Sequence, residues 1–187
     1  MDKNSVKIAV FGSSKIRPGN RWYEEARILG AEIASMGWTI VNGGYSGIME
    51  ASSRGAKEAG GKTIGITTSF SSSSPNSYTD NEIRVDTYAA RITELMTMPD
   101  GYVIFHGGSG TLAELFLSWE LVKNGSVPPK PIVLYGAFWE KIFAVLKHEL
   151  TGELSFSSFM HILNFTEDPV EAVSILKSGI ESNGREK

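Results

Sequence analysis

The sequence predicts an α/β fold with one doubly wound parallel sheet and helices on both faces, and three observations carry that expectation. Short apolar runs, too hydrophobic to leave one face in water, alternate with segments of helical periodicity. The order is βαβα throughout, so right-handed crossovers distribute the helices over both sides of the sheet. Glycines gather where strands end, at Gly12, at Gly43, Gly44 and Gly47, and at Gly107, Gly108 and Gly110. In a Rossmann-like sheet of this kind ligands bind beyond the carboxyl ends of the strands, and three glycine-rich strand ends point at one crevice.

Taken in order, Val6 to Phe11 is a continuous apolar strand that ends in Gly12, Ser13 and Ser14. From Trp22 to Met36 the residues Ala26, Leu29, Ile33 and Met36 recur at three- and four-residue spacing, and Gly37 stops the helix. Thr39 to Val41 is a second strand, Asn42 to Gly44 a turn, and Gly47 to Ala59 a second helix closed by Gly60 and Gly61. Thr63 to Thr67 is a third strand leading into the serine-rich stretch from Ser69 to Ser77, a surface loop placed to act as a lid or as a plain connector. Ile83 to Val85 is a short strand, Tyr88 to Met98 a helix, and Tyr102 to Phe105 a strand entering His106 and Gly107. A helix from Thr111 to Lys123, a strand from Ile132 to Tyr135 and helices from Phe138 to Leu150 and Pro169 to Ile180 complete the pattern. One domain over residues 1–181 is expected, with a flexible polar tail over 182–187.

Composition removes several classes of function. Eighteen Lys and Arg against 21 Asp and Glu give a net charge of -3 without a cationic block, so sequence-independent nucleic-acid binding has no footprint. No stretch approaches the ~18 apolar residues that span a bilayer, and Met1 to Ser5 lacks a signal peptide's apolar segment. The expectation is a cytoplasmic protein with no membrane partner. With no cysteine and three isolated histidines, neither a thiolate site nor a zinc cage is expected, and no cofactor is called for. Chemistry therefore falls to carboxylates, arginine, hydroxyls and backbone amides.

The sharpest segment is Gly107, Gly108, Ser109, Gly110, Thr111, Leu112, Ala113 and Glu114, between an apolar strand and a helix. Glycine lets N–H groups approach an anion without a Cβ in the way, and the helix start adds about +0.5 of an elementary charge. A phosphate fits there. Gly108 to Ala113 has the G-x-G-x-x-A spacing of dinucleotide sites, but it follows a late strand, and the lysine of a nucleotide-hydrolysing P-loop is absent. Thr111 to Glu114 also reads as a capping box, which would occupy Glu114 with its own helix end. Glu50, in the first turn after Gly47, reads either as a helix-dipole acid or as a ligand contact, and Arg91 alone reads as a surface cation.

These residues resemble the LONELY GUY family, often labelled lysine decarboxylase-like, whose signature PGGxGTxxE is preceded by an arginine-lysine pair. The similarity runs through Gly107 to Glu114, Leu115, Phe116, Trp119 and Lys130 to Tyr135, and upstream through Gly43 to Ala51, Arg54 to Ala56 and Gly60 to Lys62. It covers Val6 to about Leu150. The resemblance implies a Rossmann-like homodimer that hydrolyses the N-glycosidic bond of purine, including cytokinin, nucleoside 5′-monophosphates to base and ribose 5-phosphate. It implies Glu114 and Arg91 as catalytic residues, Gly107, Gly108, Ser109, Gly110 and Thr111 as the phosphate cradle, and Gly43, Gly44 and Gly47 as substrate-binding, with Glu50 on a ribose hydroxyl. Trp119, Leu121 and Val122 put apolar residues on more than one face of the following helix, as a homodimer would need, and core packing explains them as well. Two positions depart from the signature: His106 replaces its proline and Ile92 its lysine. His106 is expected to be satisfied by backbone groups at the strand end, with proton donation to the base as the other option. Some relatives with similar glycine loops are molybdenum-cofactor carriers, so a binding protein for a nucleotide or a phosphorylated cofactor, without hydrolysis, is the alternative.

Overall fold

A computed structural model describes residues 5–150 and 160–184. Seven parallel strands form one sheet in the order β4-β3-β2-β1-β5-β6-β7: β1 Lys7–Phe11, β2 Thr39–Asn42, β3 Lys62–Thr68, β4 Asn81–Val85, β5 Gly101–Ile104, β6 Ile132–Tyr135 and β7 Leu163–Thr166. The helices are α1 Arg21–Ser35, α2 Ile48–Glu58, α3 Tyr88–Thr97, α4 Ser109–Lys123, α5 Ala137–Glu149 and α6 Pro169–Gly184. The expected doubly wound α/β architecture is what the chain adopts.

Strand residues alternate between two cores, as the period of two requires. Ile8, Val10, Ile40, Val103, Phe105, Val133 and Tyr135 face α1, α2 and α6. Ala9, Phe11, Val41, Ile64, Ile66, Tyr102, Ile104, Ile132 and Leu134 face α3, α4 and α5. Two central strands, β1 and β5, pair from Ile8 opposite Gly101 to Phe11 opposite Ile104. The strand order reverses between them, so their carboxyl ends open the crevice where this architecture holds ligands.

Local chemistry sets the helix ends. Asn20 caps α1 by accepting from the Trp22 amide at 2.9 Å, and Thr87 caps α3 by accepting from the Ala90 amide at 3.0 Å. Gly37, at φ 73°, ends α1 in the left-handed conformation. At the other end of the sheet the buried Lys130 ammonium donates to the carbonyls of Met96 and Thr97 at 3.0 Å, closing the last turn of α3.

Helices α1 and α2 touch backbone to backbone. A Cβ on Gly55 would stand 1.7 Å from the Arg27 carbonyl oxygen, and one on Gly30 would stand 2.1 Å from that of Ser52. Neither neighbour is a movable side-chain end. Gly55→Ala is therefore expected to destabilise the protein by about 1–3 kcal/mol, although alanine gains up to ~1 kcal/mol in helix propensity. A lowered urea midpoint with an unchanged slope is the measurement that checks it.

The chain differs from expectation at three places. Strand β7 is additional: Leu-Asn-Phe-Thr alternates apolar and polar residues as a strand does, but over only four residues, the least that carries the signal. Residues 182–184 are the end of α6 rather than a flexible tail, and 185–187 lie outside the described residues, as do 151–159 of the expected domain. Helix α4 begins at Ser109 with Gly108 as its N-cap and has no side-chain cap, so Thr111 and Glu114 do not form a capping box.

Candidate functional site

A cavity of about 420 Å³ opens at the carboxyl ends of β1 and β5. It is lined by Phe11, Gly12, Ser13, Ser14 and Lys15 at the end of β1, by Tyr45 and Met49 at the start of α2, by Tyr88 and Arg91 of α3, and by Gly108 to Thr111 with Glu114 at the start of α4. The sequence reading brought Gly108, Ser109, Gly110, Thr111, Glu114 and Arg91 to one site, and the fold places all six on this cavity. Gly43, Gly44, Gly47 and Gly107 do not line it: Gly43 lies against Arg91, Gly47 and Gly107 against Ser13, and Gly44 against Thr67 and Gly65.

Helix α4 enters the cavity with the first N–H groups of an uncapped helix, which have no intrahelical acceptors. The turn before it is tightly layered. A Cβ on Gly107 would meet the Thr111 Oγ1 at 2.2 Å and the Ser13 nitrogen at 3.0 Å, so only glycine lets the β5 turn lie against the β1 loop. Ser13 donates its amide to the His106 carbonyl at 3.1 Å and accepts at its own carbonyl from the Ile48 amide at 3.0 Å. Gly47, at φ 75°, lies where a Cβ would be 2.2 Å from that same Ser13 carbonyl oxygen.

The second glycine turn holds the arginine. Asn42, fully buried, accepts from the Gly44 amide at 2.8 Å and donates to the Met49 carbonyl at 3.0 Å and the Ser53 hydroxyl at 2.9 Å, which locks the turn onto α2. Arg91, on α3, donates from Nε to the Ile66 carbonyl at 2.8 Å and from a terminal nitrogen to the Gly43 carbonyl at 3.3 Å. Its guanidinium carbon lies 5.4 Å from the centre of the Tyr45 ring. A Cβ on Gly43 would fall 2.0 Å from that terminal nitrogen, so this glycine makes room for the guanidinium. Arg91 is thus a placed side chain and not a free surface cation.

Glu114 is the one carboxylate among the cavity-lining residues. Burial pushes its carboxyl up to about 7, and the positive charge of Arg91 opposes that only in part. The two side chains both line the cavity and form no direct ion pair. A carboxyl that titrates near neutrality beside a fixed guanidinium can exchange a proton with a bound molecule.

Other expected residues lie elsewhere. Glu50 turns away from the cavity and accepts from the Tyr23 hydroxyl at 3.0 Å, on the α1 side of α2. Ile92, one position past Arg91, is rotated into the second core. His106 is not satisfied by backbone groups: its Nδ1 is buried with no partner among the described residues, and its ring packs 4.9 Å from Trp22 and 6.2 Å from Phe138, outside the cavity lining. Burial lowers its pKa, and nothing places it to give a proton to a molecule in the cavity. Trp119, Leu121 and Val122 pack into the second core, which accounts for them without a partner chain.

Sequence reasoning missed Ser13, Ser14, Lys15, Tyr45 and Tyr88 as lining residues. The available signal was position: the loop after the central strand of a doubly wound sheet always borders the crevice. The serine-rich loop also touches the site. Asn76 donates from its amide and its side chain to the Gly44 carbonyl at 2.7 and 3.0 Å, and from the side chain to the Tyr45 carbonyl at 3.0 Å. Among the described residues no cluster of His, Asp and Glu has the make-up of a metal site, and no helix is long and apolar enough to cross a membrane.

Fold and cavity together define a Rossmann-like α/β protein with a cavity at the topological switch point. The chain belongs to the SLOG cluster4 family, whose model matches residues 5–150. It is 30% identical to a protein without assigned function from Archaeoglobus fulgidus over 131 residues, 70% of this chain and 85% of that one. It is 34% identical to the cytokinin riboside 5′-monophosphate phosphoribohydrolase of Mycobacterium tuberculosis over 114 residues, 59% of this chain and only 60% of the enzyme. Among solved structures it resembles the molybdenum cofactor binding protein of Rippkaea orientalis, with a TM-score of 0.71 and 29% identity, covering 94% of this chain and 98% of that one. The molybdenum cofactor carrier protein of Chlamydomonas reinhardtii also gives a TM-score of 0.71, at 26% identity, covering 95% and 99%.

Proposed function

We propose that this protein hydrolyses the N-glycosidic bond of purine nucleoside 5′-monophosphates, cytokinin nucleotides among them, to free base and ribose 5-phosphate. The observation that carries the proposal is the pairing of Glu114, with its carboxyl raised to about 7, and the fixed guanidinium of Arg91 in a cavity that receives the uncapped start of α4. The 5′-phosphate lies against the amides of Gly108 to Thr111, and the sugar lies toward Glu114. Water attacks the anomeric carbon as the carbon–nitrogen bond breaks, and the bonding pair leaves with the base, which takes up a proton from solvent to become the neutral product. Ionised Glu114 accepts the proton of that water and faces the positive charge that develops on the sugar. Arg91 orients the nucleotide, and phosphate binding at the remote end contributes to alignment at the bond that breaks.

A second reading has its own support. The two molybdenum-cofactor proteins match this chain over nearly their whole length, whereas the hydrolase match spans 60% of the enzyme. On that reading the cavity holds a phosphorylated cofactor as cargo and cleaves nothing. Incubation with AMP separates the two. The hydrolase proposal predicts adenine and ribose 5-phosphate in equal amounts; intact AMP after prolonged incubation with several purine monophosphates, together with binding of the molybdenum cofactor, would favour the carrier. A homodimer belongs to the hydrolase proposal and is checked by sedimentation; the half-exposed Phe116 on α4 is available to such a contact.

A further inference from the structure

Two cations line the cavity, and they are held very differently. Arg91 is committed to the carbonyls of Ile66 and Gly43 and to the face of Tyr45. Lys15, in the loop after β1, is exposed, and its ammonium makes no hydrogen bond or ion pair among the described residues. Its backbone, by contrast, is anchored. The Lys15 amide donates to the Ser13 hydroxyl at 3.2 Å, and the Ser14 carbonyl before it accepts from the Ser46 hydroxyl and from Arg17, both at 2.9 Å. Arg17 is thereby occupied as well. An anchored backbone that carries an unengaged ammonium, on the same cavity as the uncapped start of α4, leaves that charge available to a ligand that brings the opposite one.

Ligand charge decides what that partner is. The lining has two cations and the single carboxyl of Glu114, so an anionic group is needed for balance, and the Arg91 guanidinium is already engaged with two carbonyls. We propose that Lys15 is the residue that grips the phosphate of the ligand, selecting phosphorylated molecules over the same molecules without phosphate. The assignment deepens the nucleotide proposal above and rests on it for where the phosphate lies.

Calorimetric titration of the full chain with ribose 5-phosphate, with AMP hydrolysis assayed in parallel, tests the assignment. Lys15→Gln is expected to weaken ribose 5-phosphate binding about tenfold or more, the loss of one charge-assisted contact, while Lys15→Arg retains most of it. Binding by the wild type should weaken with added salt more steeply than binding by Lys15→Gln, a difference that a purely structural role would not produce. Equal affinity and equal salt dependence in wild type and Lys15→Gln would overturn the proposal while leaving AMP hydrolysis untouched. Wild-type binding that needs Lys15, with no turnover of AMP, would sustain Lys15 and remove the hydrolase. No binding of ribose 5-phosphate by the wild type would remove both.

Discussion

Glu114→Gln is expected to lower kcat/KM for AMP by about 10²–10⁴-fold, the range for loss of a positioned acid-base group, and to leave AMP binding nearly intact. The neutral amide keeps the shape of the side chain but cannot accept a proton from water. In the wild type, kcat/KM should rise with pH through an apparent value of about 7, where the Glu114 carboxyl ionises. The stability consequence has the opposite sense. Because folding raises this carboxyl from 4.5 to about 7, the folded state binds the proton more tightly, so its contribution is favourable at low pH and is lost as pH rises through about 7. Glu114→Gln should therefore stabilise the protein above pH ~7.5 by about 1–3 kcal/mol, held toward the lower end because the side chain borders an open cavity, and the gain should shrink toward pH ~5. Thermal melts at the two pH values check the sign, and an inactive variant that is also the more stable one at high pH is a combination that simple misfolding cannot give.

Gly43→Ala is the second large effect, because it displaces Arg91 without touching it in sequence. The Cβ would fall 2.0 Å from the terminal guanidinium nitrogen and 2.8 Å from the Met49 sulfur, both ends of flexible side chains. Gly43 is not among the glycines with positive φ, so its backbone accepts alanine. The variant should fold with a nearly unchanged melting temperature yet lose about 10²-fold in kcat/KM, on the scale of one misplaced orienting group. Arg91→Ala should match it, and the double variant should be no worse than either single one, since both remove the same placed cation. A Gly43→Ala protein with full activity would show that the position of Arg91 beneath Tyr45 has no bearing on catalysis.

Much of the fold was legible because its signals are short-range. Apolar runs such as Ile8 to Phe11 and stop signals such as Gly37 mark strands and helix ends with little help from tertiary context. What escaped depended on packing. The start of α4 looked like a capping box at Thr111, yet the Thr111 hydroxyl is pressed against Gly107, and the helix begins two residues earlier with no side-chain cap. Glu50 and Met49 differ by one position, about 100° around a helix, and only the docking of α2 on α1 decides that Met49 faces the cavity and Glu50 faces Tyr23. The departure at Ile92 has the same origin, since the residue after a cavity-facing arginine on α3 turns into the core. Lys15 was overlooked because it lies in a loop with no periodicity and is brought to the site only by the order of the strands.

The most direct test is a crystal structure of the Glu114→Gln protein soaked with AMP. The phosphate is predicted between Lys15 and the amides of Gly108 to Thr111, with the anomeric carbon beside residue 114 and Arg91 still bound to the Gly43 carbonyl. Nucleotide bound outside this cavity, or inside it with the phosphate against Arg91 and the sugar remote from residue 114, would contradict the account.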